Sequence, residues 1–154
     1  MLNRREAREA ILQSLYSVEV GKNTTQEATK HILKYKITDD RDTLKFSERL
    51  LLITVDNRDE YDEIIAKHIN NWEVNRLAII DKLILRMAIC ELLNFEEIPT
   101  KVSINEAIEL AKLYSTRKSS KFVNGILDAV LNDLNEQERI KKTGRGLIEN
   151  STNQ

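Results

Sequence analysis

Residues 76–95 limit the possible folds more than any other segment, because apolar side chains fall on nearly every face of a helix drawn through them. The apolar residues are Leu77, Ile79, Ile80, Leu83, Ile84, Leu85, Met87, Ala88, Ile89, Leu92 and Leu93. A helix that is apolar all round belongs in the middle of a bundle. The chain of 154 residues has only 4 Gly and 1 Pro, which also favours long helices over a fold with many turns. The sequence therefore predicts an all-α bundle with this segment at its centre.

Helical periodicity predicts about seven helices in all. The other six cover residues 5–19, 24 to about 34, about 42 to an interruption near 57, onward to 69, 103–114 and about 118–135. Capping boxes, in which a Ser or Thr precedes a Glu by three positions, are predicted at Thr24 with Glu27 and at Ser103 with Glu106. Gly125 in the last helix is expected to permit close approach of a neighbouring helix. Its helix propensity is about 1 kcal/mol less favourable than that of Ala.

We expect a single domain over residues 1–136, built of two packed helical halves of about 1–70 and 71–136. The halves are predicted to meet at Asn70-Asn71-Trp72. Residues 137–154 lose the helical period and are predicted to form a flexible polar tail.

The sequence has no P-loop, dinucleotide fingerprint or nucleophile elbow, which are common motifs of cofactor binding and catalysis. His31, His68 and Cys90 are widely spaced, whereas zinc sites usually cluster their ligands. We therefore expect no metal, no cofactor and no enzyme. A lone cysteine suits a reducing cytoplasm. The sequence contains no run of about 20 apolar residues, so it predicts no membrane span.

The first helix begins with three arginines, Arg4, Arg5 and Arg8, that lie within roughly 100° of one another on its surface. Arginine suits phosphate contact because its planar fork donates several hydrogen bonds while staying charged. The alternative is a solvated helix start in which Glu6 and Glu9 form local ion pairs.

A second cationic feature is the segment from Leu110 to Leu127, which has no acidic residue in a chain of net charge −1. Its cations are Lys112, Arg117, Lys118 and Lys121. Around Ser119 they meet the start of the last helix, whose amides and dipole favour anions. Phe122 follows and could either stack on a nucleobase or pack in the core. A basic patch beside an aromatic is a general feature of proteins that bind single-stranded RNA.

Four motifs resemble the bacterial NusB family, and the resemblance covers about residues 4–134. They are Arg4-Arg5-Glu6-Ala7-Arg8 with Leu15-Tyr16, the run from Asp81 to Leu92, the run from Ile104 to Lys112, and the run from Lys121 to Asp128. The resemblance implies an all-α fold of two helical halves. It also implies an antitermination factor that binds boxA-type single-stranded RNA together with NusE, a ribosomal small-subunit protein, so that RNA polymerase reads through terminators, including those in ribosomal RNA transcription.

Carried over by position, the resemblance assigns RNA binding and partner binding to separate sets of residues. The RNA-binding set is Arg4, Arg5, Arg8, Lys118, Ser119, Lys121 and Phe122. Tyr16, Asp81 and Arg86 fall where the family meets NusE or the adjoining RNA. Members occur as monomers and as homodimers, so a homodimer stays open.

Two departures from the family pattern shift the expected weight of RNA binding toward the last helix. Glu6 and Glu9 dilute the basic start, and Arg117-Lys118 stand where relatives often carry acidic or neutral residues. Two other functions stay open: an RNA-binding domain related to that of a ribosomal RNA cytosine methyltransferase, and a helical adaptor that binds only protein.

Overall fold

The computed structural model describes residues 4–69 and 72–147, and within them it contains helices and turns but no strand. The all-α prediction is therefore confirmed. The chain divides into two compact units, Met1–Arg58 and Asp59–Gln154. This boundary precedes the predicted junction, of which Asn70 and Asn71 lie outside the described residues. The boundary lies early because the helix after Arg58 forms its side-chain contacts, through Tyr61 and Asp62, with the second unit.

The first unit contains α1 (Arg4–Glu19), α2 (Thr25–Ala28), a π-helical turn (Thr29–Leu33), α3 (Lys34–Lys36) and α4 (Arg41–Asp56). The three middle pieces form one continuous helical stretch. The predicted capping box at its start is confirmed: the Thr24 hydroxyl accepts the Glu27 amide at 3.0 Å, and the Glu27 carboxylate accepts the Thr24 amide at 2.9 Å. The Thr24 amide and hydroxyl hold the pKa of Glu27 below its ordinary value.

The second unit contains α5 (Arg58–Ala66, whose first residue closes the first unit), α6 (Ile79–Asn94), α7 (Thr100–Tyr114) and α8 (Arg117–Glu136), with 3₁₀ turns at Trp72–Arg76 and Gly144–Leu147. Every residue of α6 from Leu83 to Leu92 is buried, and α6 packs against both α7 and α8. The apolar segment is thus the central helix of its unit, as predicted. With the stretch 25–36 counted as one, the described residues form seven helices.

The predicted capping box at Ser103 and Glu106 is wrong. Helix α7 begins at Thr100, directly after Pro99, whose φ of −59° is already close to a helical value. Ser103 therefore lies one turn inside the helix. There its hydroxyl donates to the buried Glu91 carboxylate at 2.8 Å, so the serine satisfies a charge on α6 instead of capping α7.

The segment predicted to be a flexible tail is tied to the second unit as far as Leu147. After α8 the chain turns through Glu138 at φ 56°, with the Arg139 amide donating to the Leu134 carbonyl at 2.9 Å. The Lys142 ammonium then donates to the Phe95 carbonyl at 2.8 Å, at the carboxyl end of α6, where carbonyls lack helical partners. The Lys142 contact spans 47 residues, so the local sequence pattern of the tail could not predict it. Residues 148–154 lie outside the described part of the chain.

Gly125 does not permit a close helix contact, so that prediction is wrong. The residue is exposed, and a Cβ built on it meets nothing within 4 Å. Its backbone is ordinary helix, so no packing or dihedral constraint in this fold requires glycine there. Gly125 is therefore a surface position of α8 at which a larger residue would fit.

Gly125→Ala is expected to raise the free energy of unfolding by about 0.5–1 kcal/mol, because Ala restricts the unfolded chain and favours the helix. Urea unfolding of both proteins measures the difference. A loss of stability would contradict it and would mean that the backbone at this position needs glycine.

Candidate functional site

The start of α8 is held by a network of hydroxyl groups. Thr116 is the N-cap, and its hydroxyl oxygen accepts the Ser119 amide at 2.9 Å. The Ser119 hydroxyl donates in turn to the Asp81 carboxylate at 2.9 Å and accepts from Ser115 at 3.0 Å. Ser119 was predicted to contact RNA, but its hydroxyl is occupied inside the protein. This network fixes the first turn of α8 against the first turn of α6.

Three cations project from the first turns of α8: Arg117, Lys118 and Lys121. All three are exposed, and none of them forms an ion pair with any residue in the described ranges. Lys112, the fourth cation of the acid-free segment, is paired with Glu109 at 3.5 Å on α7. The predicted basic patch is therefore narrower than the segment suggested.

Phe122 is half-buried, so part of its ring faces solvent beside these cations. Residues three and four apart on a helix are surface neighbours, which brings Lys118 and Gly125 to either side of Phe122. The absent side chain at Gly125 leaves open space next to the ring. We call Arg117, Lys118, Lys121 and Phe122 the α8 patch. It offers point charges and part of an aromatic face, which are the groups that bind a nucleic-acid strand.

Asp81 was predicted to contact a partner, yet its exposed fraction is only 6%. It lies in the first turn of α6, where a carboxylate is favoured by the helix dipole, and Ser119 ties it to the start of α8. No described residue donates to its second oxygen, Oδ1. The geometry gives Asp81 the role of joining two positive helix ends.

Arg86 was also predicted at the partner surface, and it too is buried. Its Nε donates to Asp62 Oδ1 at 2.8 Å and its Nη2 to Asp62 Oδ2 at 2.7 Å. This two-pronged pair joins α6 to α5 and occupies one edge of the guanidinium, the edge formed by Nε and Nη2.

The arginines of α1 divide between surface and interior. The Arg4 guanidinium lies 4.3 Å from the centre of the Phe46 ring, and that of Arg8 lies 5.5 Å from it. Arg4 and Arg5 are exposed, whereas Arg8 is buried. Cation–π contact with Phe46 thus anchors the basic start of α1 to α4. Sequence analysis missed Phe46 because its spacing is that of an ordinary core residue.

Tyr16 is the one predicted partner contact that lies at the surface, with 41% of its area exposed. Val20 follows the last residue of α1, its amide donates to the Tyr16 carbonyl at 2.8 Å, and it is also exposed, so the two form a small apolar face. Sequence analysis did not single out Val20. Tyrosine is one of the residues enriched among those that contribute most to binding at protein interfaces.

Within the described residues there is neither a metal-binding cluster nor a membrane-spanning helix. They contain no group of three or more His, Cys, Asp and Glu side chains that could hold a metal ion. Of the helices described, none is long and apolar enough to cross a membrane. Cys90 is buried in α6, where it acts as a small apolar residue.

The sequence and the helical fold of this chain are both similar to those of known proteins. The model of the NusB family matches residues 5–132. The transcription antitermination protein NusB of Salinibacter ruber (strain DSM 13855 / M31) is 49% identical over 148 residues, covering 96% of this chain and 92% of the relative. A solved structure of T. maritima NusB is 34% identical with a TM-score of 0.79, covering 86% of this chain and 92% of that chain. A structure of antitermination factors NusB and NusE in complex with dsRNA is 26% identical with a TM-score of 0.77, covering 84% and 96%.

The fold defines an all-α helical module, and its α8 patch presents exposed cations beside an aromatic ring. The chain belongs to the NusB family. Members of that family are antitermination factors and not enzymes, so the resemblance and the non-enzymatic prediction are both confirmed.

Proposed function

We propose that this protein is an RNA-binding transcription antitermination factor that holds boxA-type single-stranded RNA together with NusE. In this role it acts on transcribing RNA polymerase, including polymerase on ribosomal RNA genes, in the cytoplasm. The observation that carries the proposal is the α8 patch: exposed cations without an ion-pair partner in the described residues, beside the half-buried Phe122. Membership of a family with a solved NusB–NusE–dsRNA complex supports it.

The direct RNA contacts in this proposal are fewer than the sequence suggested. Lys118 and Lys121 contact phosphate, and Phe122 stacks on a base with its exposed part. Arg4 and Arg5 add phosphate contacts from α1, while Arg8 acts indirectly by packing on Phe46. Ser119 likewise acts indirectly, through its hydrogen bond to Asp81.

NusE enters the proposal because so few phosphate contacts give weak, salt-sensitive binding by themselves. A partner that brings its own RNA contacts makes the chain's contacts effectively intramolecular and raises the affinity. Of the three predicted partner residues, Tyr16 supports this best, since its ring is exposed while Asp81 and Arg86 are engaged inside the chain. A homodimer stays a prediction, and a measurement of the protein's mass in solution tests it.

Replacing both Lys118 and Lys121 by Ala is expected to weaken binding of a boxA-like oligonucleotide. Each lost phosphate contact to single-stranded RNA reduces the slope of log affinity against log salt by about 0.7, so the pair should reduce it by about 1.4. Fluorescence anisotropy at several salt concentrations between about 50 and 200 mM measures the slope.

The matched control is Lys67→Ala with Lys141→Ala, which removes the same charge. Both lysines are exposed, and both lie near the carboxyl end of α8: His68 pairs with Asp133, and Lys141 follows the helix. At 1.5 Å per residue that end is about 20 Å from the α8 patch. If the control flattens the slope as much as the test pair does, the effect is net charge alone and the α8 patch is not the RNA site.

The methyltransferase-related alternative is less well supported. The Salinibacter ruber relative matches over 92% of its own length and is an antitermination protein. The protein-only adaptor remains a distinct outcome of the same assay, since it predicts no salt-dependent RNA binding at all.

A further inference from the structure

The first unit contains a cleft of about 690 Å³ that the proposed RNA-binding role does not use. It runs between α4 and the helical stretch formed by α2, the π-helical turn and α3. Its lining includes Lys30, Lys34, Thr29, Glu48, Leu51 and Leu52. The volume is within the roughly 300–1,000 Å³ typical of binding pockets, enough to admit several side chains of a partner.

One wall of the cleft is cationic. Lys30 and Lys34 are both exposed, and neither forms an ion pair with Glu48 or with any other described carboxylate. They belong to residues 28–38, a run without a single Asp or Glu in a chain of net charge −1. Lys30 also lies in a π-helical turn, an uncommon conformation that recurs at functional sites. The wall is therefore a second concentration of unpaired positive charge, separate in sequence from the α8 patch.

The opposite wall is aliphatic. Leu51 is buried, while 49% of Leu52 is exposed to solvent inside the cleft mouth. An exposed leucine opposite two lysines spaced four residues apart is an arrangement suited to a groove that receives one face of an amphipathic helix.

The chemistry of the lining favours a protein segment over RNA. Base stacking needs an aromatic ring, and no aromatic residue lines the cleft. Glu48 also lines the cleft, and it can pair with a single basic residue of a peptide, a group that a phosphate backbone does not offer. The i, i+4 spacing of the lysines matches two carboxylates one turn apart on a facing helix.

We propose that this cleft is a docking site for an acidic amphipathic helix of a protein partner. Leucine-type side chains of that helix lie on Leu51 and Leu52, and its carboxylates meet Lys30 and Lys34. The site is independent of the proposed RNA-binding function.

The test uses two synthetic helical peptides about 16 residues long, a length that can hold a helix. Both carry leucines at i, i+3 and i+7; one has Glu on the flanking positions and the other has Lys at the same positions. The full chain, labelled with ¹⁵N, is titrated with each peptide. The acidic peptide should shift amide signals of residues 25–34 and 48–52, and the basic peptide should leave them unchanged.

Two variants locate the binding energy. Lys30→Glu with Lys34→Glu should weaken the acidic peptide by at least about tenfold, because two attractions become repulsions. Leu52→Ala, at a half-exposed position that adds little to the core, should weaken it about threefold to tenfold. Lys67→Glu with Lys141→Glu makes the same charge change away from the cleft and should bind as the parent does. All variants should bind the boxA-like oligonucleotide as the parent does, which separates this site from the proposed RNA site.

Three results would overturn the proposal. Equal binding of both peptides would show a non-specific apolar surface. Unshifted cleft signals at saturating acidic peptide would show that the cleft does not receive such a helix. Shifts of the Lys30 and Lys34 signals by the oligonucleotide, lost in the double reversal, would assign the cleft to nucleic acid instead.

Discussion

Arg86→Ala is expected to lower the free energy of unfolding by about 3 kcal/mol, the low end of the cost of breaking a buried ion pair. The low end applies because 25% of the Asp62 side chain is exposed, so water can solvate the carboxylate once its partner is gone. The substitution also opens a cavity in α6, whose residues from Leu83 to Leu92 are all buried. For a chain of this size the melting temperature should fall by about 6–12 °C.

The chain offers its own control in Arg139, which pairs with Glu60 at 2.9 Å on the surface of the same unit. Both side chains there are more than a third exposed, so Arg139→Ala should cost no more than about 1 kcal/mol. Arg86→Lys should fall between the two, because an ammonium keeps the charge and loses the two-pronged geometry. A melting temperature unchanged in Arg86→Ala, together with lost affinity for NusE, would restore Arg86 to the partner surface.

The fold was predictable where the controlling interactions are local. The apolar run of α6 identified a central helix without reference to any neighbour, and Thr24 with Glu27 showed a capping box within four residues. Ser103 and Glu106 have the same pattern but no capping role, since Pro99 starts the helix earlier and α6 supplies a better partner for the serine. A short motif predicts a cap only when nothing nearby competes for its hydroxyl group.

Gly125 is a different case, because the information was present in the sequence. Val123, Ile126, Leu127 and Val130 define the buried face of α8, and Gly125 falls outside it. The helical period that predicted the core should have assigned this glycine to the surface. Its exposure beside Phe122 is what makes the open space next to the α8 patch.

The candidate site was predictable in its charges and not in its internal partners. The acid-free segment gave the exposed lysines of α8 directly. The pairing of Arg86 with Asp62 spans 24 residues, and that of Ser119 with Asp81 spans 38. A sequence with 25 acidic residues offers many candidate partners for each, so only the packed structure selects one. Residues assigned to function by resemblance can therefore act by positioning others.

Asp81 shows this most clearly, and its substitutions have the other large expected effect. Asp81→Lys would bury an ammonium between the first turns of α6 and α8, both of which carry positive dipole ends. It would also leave the Ser119 hydroxyl without its acceptor. We expect the free energy of unfolding to fall by at least about 3 kcal/mol and the melting temperature by about 6–12 °C.

Asp81→Asn separates the hydrogen bond from the charge. The amide oxygen still accepts from Ser119, so the first turn of α8 should stay in place, at a cost of about 1 kcal/mol. The affinity of this variant for the boxA-like oligonucleotide should then stay within about threefold of the parent's. Asp81→Lys should instead weaken binding of both RNA and NusE, because the first turns of α8, which carry Lys118, Lys121 and Phe122, are no longer held in place. Thermal unfolding, anisotropy with the oligonucleotide and calorimetry with NusE measure the three quantities. If Asp81→Lys keeps the parent's melting temperature and RNA affinity while losing NusE alone, Asp81 contacts the partner directly and its burial against α8 is incidental.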